Sequence, residues 1–263
     1  LRFELHSPVY SQLDLLRCVL PPSEIEQAEI KYHQLSTEAA ELLDGMEHPV
    51  DKIQALLDFF YFDKLFCLSI NQPHDAGHNL ATGLLYHCAA TPVLAVILVD
   101  LFRQSGFTAE PIMAKQGAIV RITLANNQFI FIKADDGASF DWHEVEQFLE
   151  LTDKQKEKVK GPSDLEMAED DDLDALLLNL FKAELIELGM FEHAFQVSQA
   201  LLDIDPDNPY ERRDRGFLLQ QMDCDNLAVA DYEFFIEQCP KDPLAQVLKT
   251  QLSDMQNNHR DLH

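Results

Sequence analysis

The chain has 263 residues, room for one large domain or two modest ones at roughly 100–200 residues each. Hydrophobic residues make up 46% and aromatics 9%, enough to bury a sizeable core, which excludes global disorder. With 20 Lys and Arg against 46 Asp and Glu the net charge is −26, so phosphate backbones and anionic lipid are repelled and neither nucleic acid nor a membrane is expected as a partner.

No apolar stretch reaches the ~18–20 residues of a spanning helix. The longest, Val93 to Val99, is broken by Asp100. The opening LRFELHSPVYSQ lacks a basic segment followed by an apolar core, so no secretion signal is expected there. The five cysteines (Cys18, Cys67, Cys88, Cys224, Cys239) are odd in number and form no CxxC pair. They fit reduced thiols in a cytoplasm better than a disulfide framework.

In chain order, residues 1–70 read as helices. Ser23 with Glu26 three residues on is a capping box, followed by Ile25, Ile30, Tyr32, Leu35 and Leu42 at near-helical spacing. A second helix is predicted over 50–62, with Ile53, Leu56, Leu57 and Phe60 on one face. NQPHDAGHN (71–79) is loop chemistry. The stretch 91–104 is a helix apolar nearly all round, with Pro92 in its first turn and Gly106 beyond its end, so other elements must cover most of its sides. Residues 118–124 and 128–134 alternate as a hairpin around Ala125-Asn126-Asn127, 135–139 is a loop, and 142–151 is a short amphipathic helix. The polar stretch 152–174 turns from basic to acidic around Gly161-Pro162. The expected organisation is a domain over 1–160, an acidic linker over 161–174 and a module over 175–263.

That module repeats with a period of 34: Pro206 matches Pro240, Pro209 matches Pro243, Leu202 matches Ile236 and Ala194 matches Ala228. This is the tetratricopeptide period, a helix–turn–helix unit that stacks on its neighbour. Gly216 and Ala228 are the small residues where paired helices approach, and Tyr232 and Phe235 fill the gap. The first unit is poorer, with Lys182 at the place of Gly216. Two repeats are fewer than the ~3 usually needed alone, so the module is expected to pack on the upstream domain or on a further helix around 244–255. First helices line the concave face, which places Asn179, Ala183 and Ile186 beside Tyr210, Arg213, Phe217 and Gln220 as a binding groove. Arg213 has the chemistry to grip a carboxylate or chain terminus. The alternative is internal salt bridging among Arg212, Arg213, Asp214 and Arg215.

The segment NPYERRDRGFLLQQMDCDNLAVADYEFFIEQCPKDP (208–243) closely resembles the C-terminus of the SirB/YchA family of bacterial proteins, and the resemblance extends more weakly over almost the full chain. It implies an α+β, mainly helical architecture. A transglutaminase-like (papain-like) domain with a small antiparallel sheet would precede an all-α tetratricopeptide module. Such a domain would need a Cys nucleophile at a helix N-terminus, a His to activate it and an Asp to orient the His. The resemblance sets Thr91 or Ala90 at the place of the Cys, Gln116-Gly117-Ala118 at the His, and Lys133 at the Asp, with Asp135 and Asp136 just after. All three roles are lost, as in SirB-type sequences that lack the cysteine, which implies a pseudoenzyme.

Of the remaining chemical candidates, Cys88, beside His87, is the best nucleophile. It carries the competing reading of a cysteine-dependent acyl transferase or hydrolase with His87 or His143 as its base. His74 and His78 stand four apart, but Pro73 and Gly77 oppose a helix there and no third ligand joins them. Asp170-Asp171-Asp172 lacks the Gly and spaced Glu of a calcium loop. No GxGxxG, P-loop or GxSxG is present, so no cofactor is expected. The expected function is a non-catalytic interaction or scaffold protein whose partner is an unidentified protein or peptide. No oligomeric state follows from the sequence.

Overall fold

Prolines open the first helices. In the computed structural model, which describes residues 7–69, 77–165 and 170–260, α1 (Pro8–Leu16), α2 (Pro22–Leu43) and α3 (Pro49–Asp58) each begin at a proline. A first turn leaves its N–H groups unpaired anyway, so the missing donor costs nothing there. The start at Pro22 carries Ser23 into the first turn, Pro21 takes the cap position, and the expected Ser23–Glu26 box does not form. The buried stripe of α2 is Ile25, Ala28, Tyr32, Leu35, Ala39 and Leu43. Ile30 and Leu42 stay 58% and 39% exposed, because the true stripe steps by three and four residues through alanines. Ile53, Leu56, Leu57 and Phe60 are buried as expected, the last in a π-turn (Phe59–Asp63) that extends α3.

The two-residue strand β1 (Cys67–Leu68) leads on to α4 (Leu80–Tyr86), capped by Asn79, whose Oδ1 accepts from the Ala81 and Thr82 amides at 2.9 and 3.3 Å. The strand β2 (Cys88–Ala89) pairs in parallel with β1. It runs into α5 (Thr91–Gln104), where every residue from Val93 to Phe102 is buried. Each large aliphatic there contributes about 1.5–3 kcal/mol by leaving water. Gly106, at φ +86°, ends the helix.

Strands β3 (Thr108–Ala114), β4 (Gly117–Thr123), β5 (Phe129–Lys133) and β6 (Ser139–Phe140) form an antiparallel sheet in that order. The register pairs Ile112 with Ile119 and Ile119 with Lys133. Helix α5 packs on β3 and β4. α6 (Trp142–Phe148), with a capping box between Asp141 and Glu144, brings Val145, Trp142 and Phe148 onto Ile119 and Phe131. The central strand β4 is thereby buried from Ala118 to Arg121 and at Ile122.

Inside this apolar body Asp100 is only 1% exposed. Ser7 and Tyr32 donate to its Oδ2 at 2.5 and 2.6 Å, and Gln104 donates to the Tyr32 hydroxyl at 3.0 Å. One carboxylate thus fastens α5 to the start of α1 and the middle of α2.

The stretch expected as a linker is tied down. α7 (Asp153–Lys158) precedes a 3-10 turn at Pro162–Asp164. Arg121, 5% exposed, pairs with Glu110 at 2.5 Å and donates to the carbonyls of Pro162 and Leu165 at 2.8 and 3.3 Å. Residues 170–174 of the acidic run lie in α8 (Asp170–Glu187). Arg103 meets Asp170 at 3.0 Å, and Asp174 accepts from Ser11 and, at 2.9 Å, from Gln12.

The chain divides into two units, 1–177 and 178–263, the boundary falling within α8. The second unit continues with α9 (Phe191–Ile204), α10 (Pro209–Gln221), α11 (Asp225–Gln238) and α12 (Pro243–Arg260). Pro243 lies 34 residues after Pro209, so α12 starts as another first helix. It closes the core of Leu219, Ala228, Tyr232 and Phe235 with Ala245, Leu248 and Leu252.

The two repeats within this second unit solve one packing problem in opposite ways. A Cβ on Gly216 would lie 2.7 Å from the Tyr232 ring, so the glycine is what admits the tyrosine. Thirty-four residues earlier the sizes are exchanged, with Lys182 for the glycine and Ser198 for the tyrosine. Lys182 is 3% exposed, and its ammonium reaches Glu211 at 2.5 Å and Asp214 at 3.2 Å, while Ser198 donates to Glu211 at 2.5 Å. The expectation of a poor first unit missed this substitution of an ion pair for a ring.

Two predictions follow from these contacts. Replacing Asp100 by Ala strands the Ser7 and Tyr32 hydroxyls and should cost about 1–3 kcal/mol in chemical denaturation. Burial raises the Asp100 pKa in the fold above the roughly 3.9 of an unfolded chain. Protonation therefore favours the fold, a contribution complete below that unfolded value and lost as pH climbs through the folded one. The Asp100→Asn chain should accordingly gain stability relative to the parent as pH rises from acid to neutral, measured by urea midpoints across that range. Second, Gly216→Ala should destabilise the second unit by about 1–3 kcal/mol through overpacking, and by much less in a Tyr232→Ala background. Equal losses in both backgrounds would show that the glycine is not there for the ring.

Candidate functional site

The positions that the family resemblance assigns to a triad are built from the start of α5, the start of β4 and the end of β5. Thr91 is the first residue of α5, with Ala90 as its cap. Gly117 opens β4 at φ +142°, and a Cβ there would meet Thr91 Oγ1 at 3.1 Å. The structure thus brings the first two positions together, as a hydroxyl facing a residue without a side chain. Lys133 goes elsewhere. Directly paired residues share a face of a sheet, and its partner Ile119 packs with Val145 of α6. The Lys133 ammonium lies 2.9 Å from Asp135 and 3.2 Å from Asp136. The hydrogen bond that Lys133 donates to Asp135 raises its pKa above the ordinary lysine value. Gln116 donates to Glu150 at the surface at 2.7 Å.

Cys88 lies in β2, directly opposite Cys67 of β1. His87 precedes it in the left-handed region at φ 58°. Its Nδ1–H donates to the Lys64 carbonyl at 2.6 Å and its ring stacks on Phe66 at 4.4 Å. The Nδ1 side of the imidazole is therefore engaged. His143 is 76% exposed and sits by Glu146 and Gln147 on α6. Of the spaced histidines, His78 is in the turn before α4 and His74 lies outside the described residues. Among the described residues no three His, Cys, Asp or Glu side chains gather as a metal site.

In the second unit Arg213, Phe217 and Gln220 of α10 border a cavity of about 370 Å³ with Leu244, Val247 and Gln251 of α12. Tyr210, 50% exposed, stands edge-on to Phe235 one turn away, and Asn179 is exposed on α8; neither lines the cavity. Arg213 is already engaged. It donates to Asp214 at 2.6 and 3.0 Å and lies over the Tyr210 and Phe235 rings at 5.5 Å each. Because Asp214 also meets Lys182, a chain of alternating charge runs from the buried Glu211 to the cavity wall. Arg215 grips the buried Asp231 with both ends of its guanidinium at 2.7 and 2.6 Å, and Arg212 covers the Phe234 ring. Gln220 accepts from Tyr232 at 2.6 Å and from Gln251 at 2.9 Å. What the cavity offers is mainly apolar: Phe217, Leu244 and Val247 are 40%, 46% and 59% exposed.

The sequence reading missed the α12 wall, although the period contains it. Leu244, Val247 and Gln251 are the 34-residue images of Tyr210, Arg213 and Phe217. It also missed Cys67 as the neighbour of Cys88, which no periodicity marks because the two strands are two residues long.

Comparison with known proteins agrees with this division of the chain. A transglutaminase-like superfamily model matches residues 26–178, and a tetratricopeptide repeat model matches residues 182–253. The chain is 27% identical over 257 residues to a UPF0162 protein of Vibrio cholerae, covering 97% of this chain and 95% of that one. It is 31% identical over 170 residues to the UPF0162 protein YchA of Escherichia coli K12, covering 65% of this chain and 63% of that one. The protein SirB1 of Salmonella typhimurium matches over the same length at 29%. A crystal structure of menin aligns over 87% of this chain and 64% of that one, at 9% identity and a TM-score of 0.36, a likeness that carries no argument. No helix among the described residues is long and apolar enough to cross a membrane. With one family model covering more than half its length and relatives that match it almost from end to end, the chain belongs to the transglutaminase-like superfamily, in the UPF0162 group of YchA and SirB1, and carries a tetratricopeptide repeat after its transglutaminase-like domain.

Proposed function

We propose that this is a non-catalytic interaction protein of the cytoplasm, whose cavity between α10 and α12 holds an apolar side chain of a partner protein or peptide. The observation that carries the reading is the exposure of Phe217, Leu244 and Val247 around one hollow of about 370 Å³. Surfaces of this kind pay for their exposure only when something covers them. The partner's flanks are basic, since the net charge of −26 draws cations towards the groove. Arg213 frames the opening and does not grip a carboxylate, because Asp214 already neutralises it. The non-catalytic part of the reading is supported by Thr91, Gly117 and Lys133 at the triad positions. Acyl transfer at Cys88 is the competing reading, with His87 placing its Nδ1–H on the Lys64 carbonyl.

The test is selection from a displayed peptide library on the intact chain. Enriched peptides should carry one large apolar residue flanked by Lys or Arg. Phe217→Asp and Val247→Asp should each weaken their binding by about tenfold or more, a loss of roughly 1.4 kcal/mol, with the thermal midpoint unchanged. Enriched peptides that bind both variants as tightly as the parent would refute the groove.

A further inference from the structure

We propose that Cys67 and Cys88 form a reversible dithiol–disulfide pair, a modification site that reacts with small-molecule disulfides. The two residues are Cα partners in the parallel ladder of β1 and β2. The pairing is framed by the Cys67 amide donating to the His87 carbonyl and the Ser69 amide donating to the Ala89 carbonyl, both at 2.9 Å. Residues directly opposite in a sheet present their side chains to the same face, and neighbouring strands lie about 4.7–4.9 Å apart. That spacing lies inside the range of about 4.4–6.8 Å that a disulfide spans. Cys88 is also near enough to the Cys67 thiol to help raise its pKa.

Accessibility sets the order of events. Cys67 is exposed and Cys88 is half-buried, so an incoming disulfide meets Cys67 first. The Cys67 thiolate attacks one sulfur of the small disulfide, forming a mixed disulfide and expelling one thiolate. The Cys88 thiolate then attacks the Cys67 sulfur and expels the second. Two electrons pass from the protein pair to the small disulfide, and the protons lost from Cys67 and Cys88 end on the two thiols released. Burial, and then the neighbouring Cys88, hold the Cys67 thiol above its ordinary pKa, so the reaction quickens as pH rises. The cross-link ties β1 to the strand that leads directly into α5, three residues before Thr91.

The experiment incubates the native full chain with oxidised and reduced glutathione at graded ratios, then blocks remaining thiols and maps the peptides by mass spectrometry without reduction. The expected result is loss of two of the five alkylatable thiols as one Cys67–Cys88 linked peptide. Its yield should be independent of protein concentration and reversible by reduced glutathione, and it should be accompanied by a higher thermal midpoint. In Cys88→Ser, the mixed disulfide should instead accumulate on Cys67. Cys67 and Cys88 alkylated at every ratio, or ending as separate glutathione adducts in the unsubstituted chain, would overturn the proposal.

Discussion

A helix buried on every side has nowhere to put a carboxylate, yet α5 carries Asp100 at its centre. The structure accommodates it by turning the hydroxyls of Ser7 and Tyr32 inward, so the two N-terminal helices that cover α5 are also the ones that satisfy it. Hydrophobic contact alone is indifferent to small rotations of one helix on another. A buried acceptor that demands donors from two particular helices is not. The sheet, β2 and the start of α5 take their places around this fixed point. Even the start of α8 is held by the same elements, through Ser11, Gln12 and Arg103.

Legibility followed the strength of local signals. The all-apolar run to Phe102, the hairpin around Ala125–Asn127 and the 34-residue period are each written in consecutive residues, and they came through with few changes. Where the sequence misled, a second local rule competed with the first. Pro21-Pro22 brought the start of α2 ahead of Ser23, and alanines carried a stripe that a search for large side chains assigned to Ile30 and Leu42. The acidic run at Asp170 looked like solvated tether because its partners, Arg103 among them, lie far away in sequence. The candidate site was less legible for the same reason. Arg213 reads as a bare cation until Asp214 is seen against it, and Cys88 reads as next to His87 until the fold turns the ring to Lys64 and sets Cys67 opposite the thiol.

In the transglutaminase-like domain Thr91 and Gly117 meet where α5 and β4 begin, at a contact tight enough that a side chain on the glycine would press on the threonine. The strand–helix junction is therefore held by close packing. In the other unit α12 extends the repeat and leaves Leu244 and Val247 exposed.

The exchange of Gly216 and Tyr232 for Lys182 and Ser198 bears on how such an array lengthens over evolutionary time. Solenoids grow when a repeat is copied in tandem and each copy fits the next. Here the first repeat stacks only on a neighbour that offers carboxylates at the places of Glu211 and Asp214. A copy of itself would present Leu177 and Leu180 there, and would leave the lysine buried without a counter-ion. A tandem copy of that first repeat alone would thus lack the ion pairs that close its present joint.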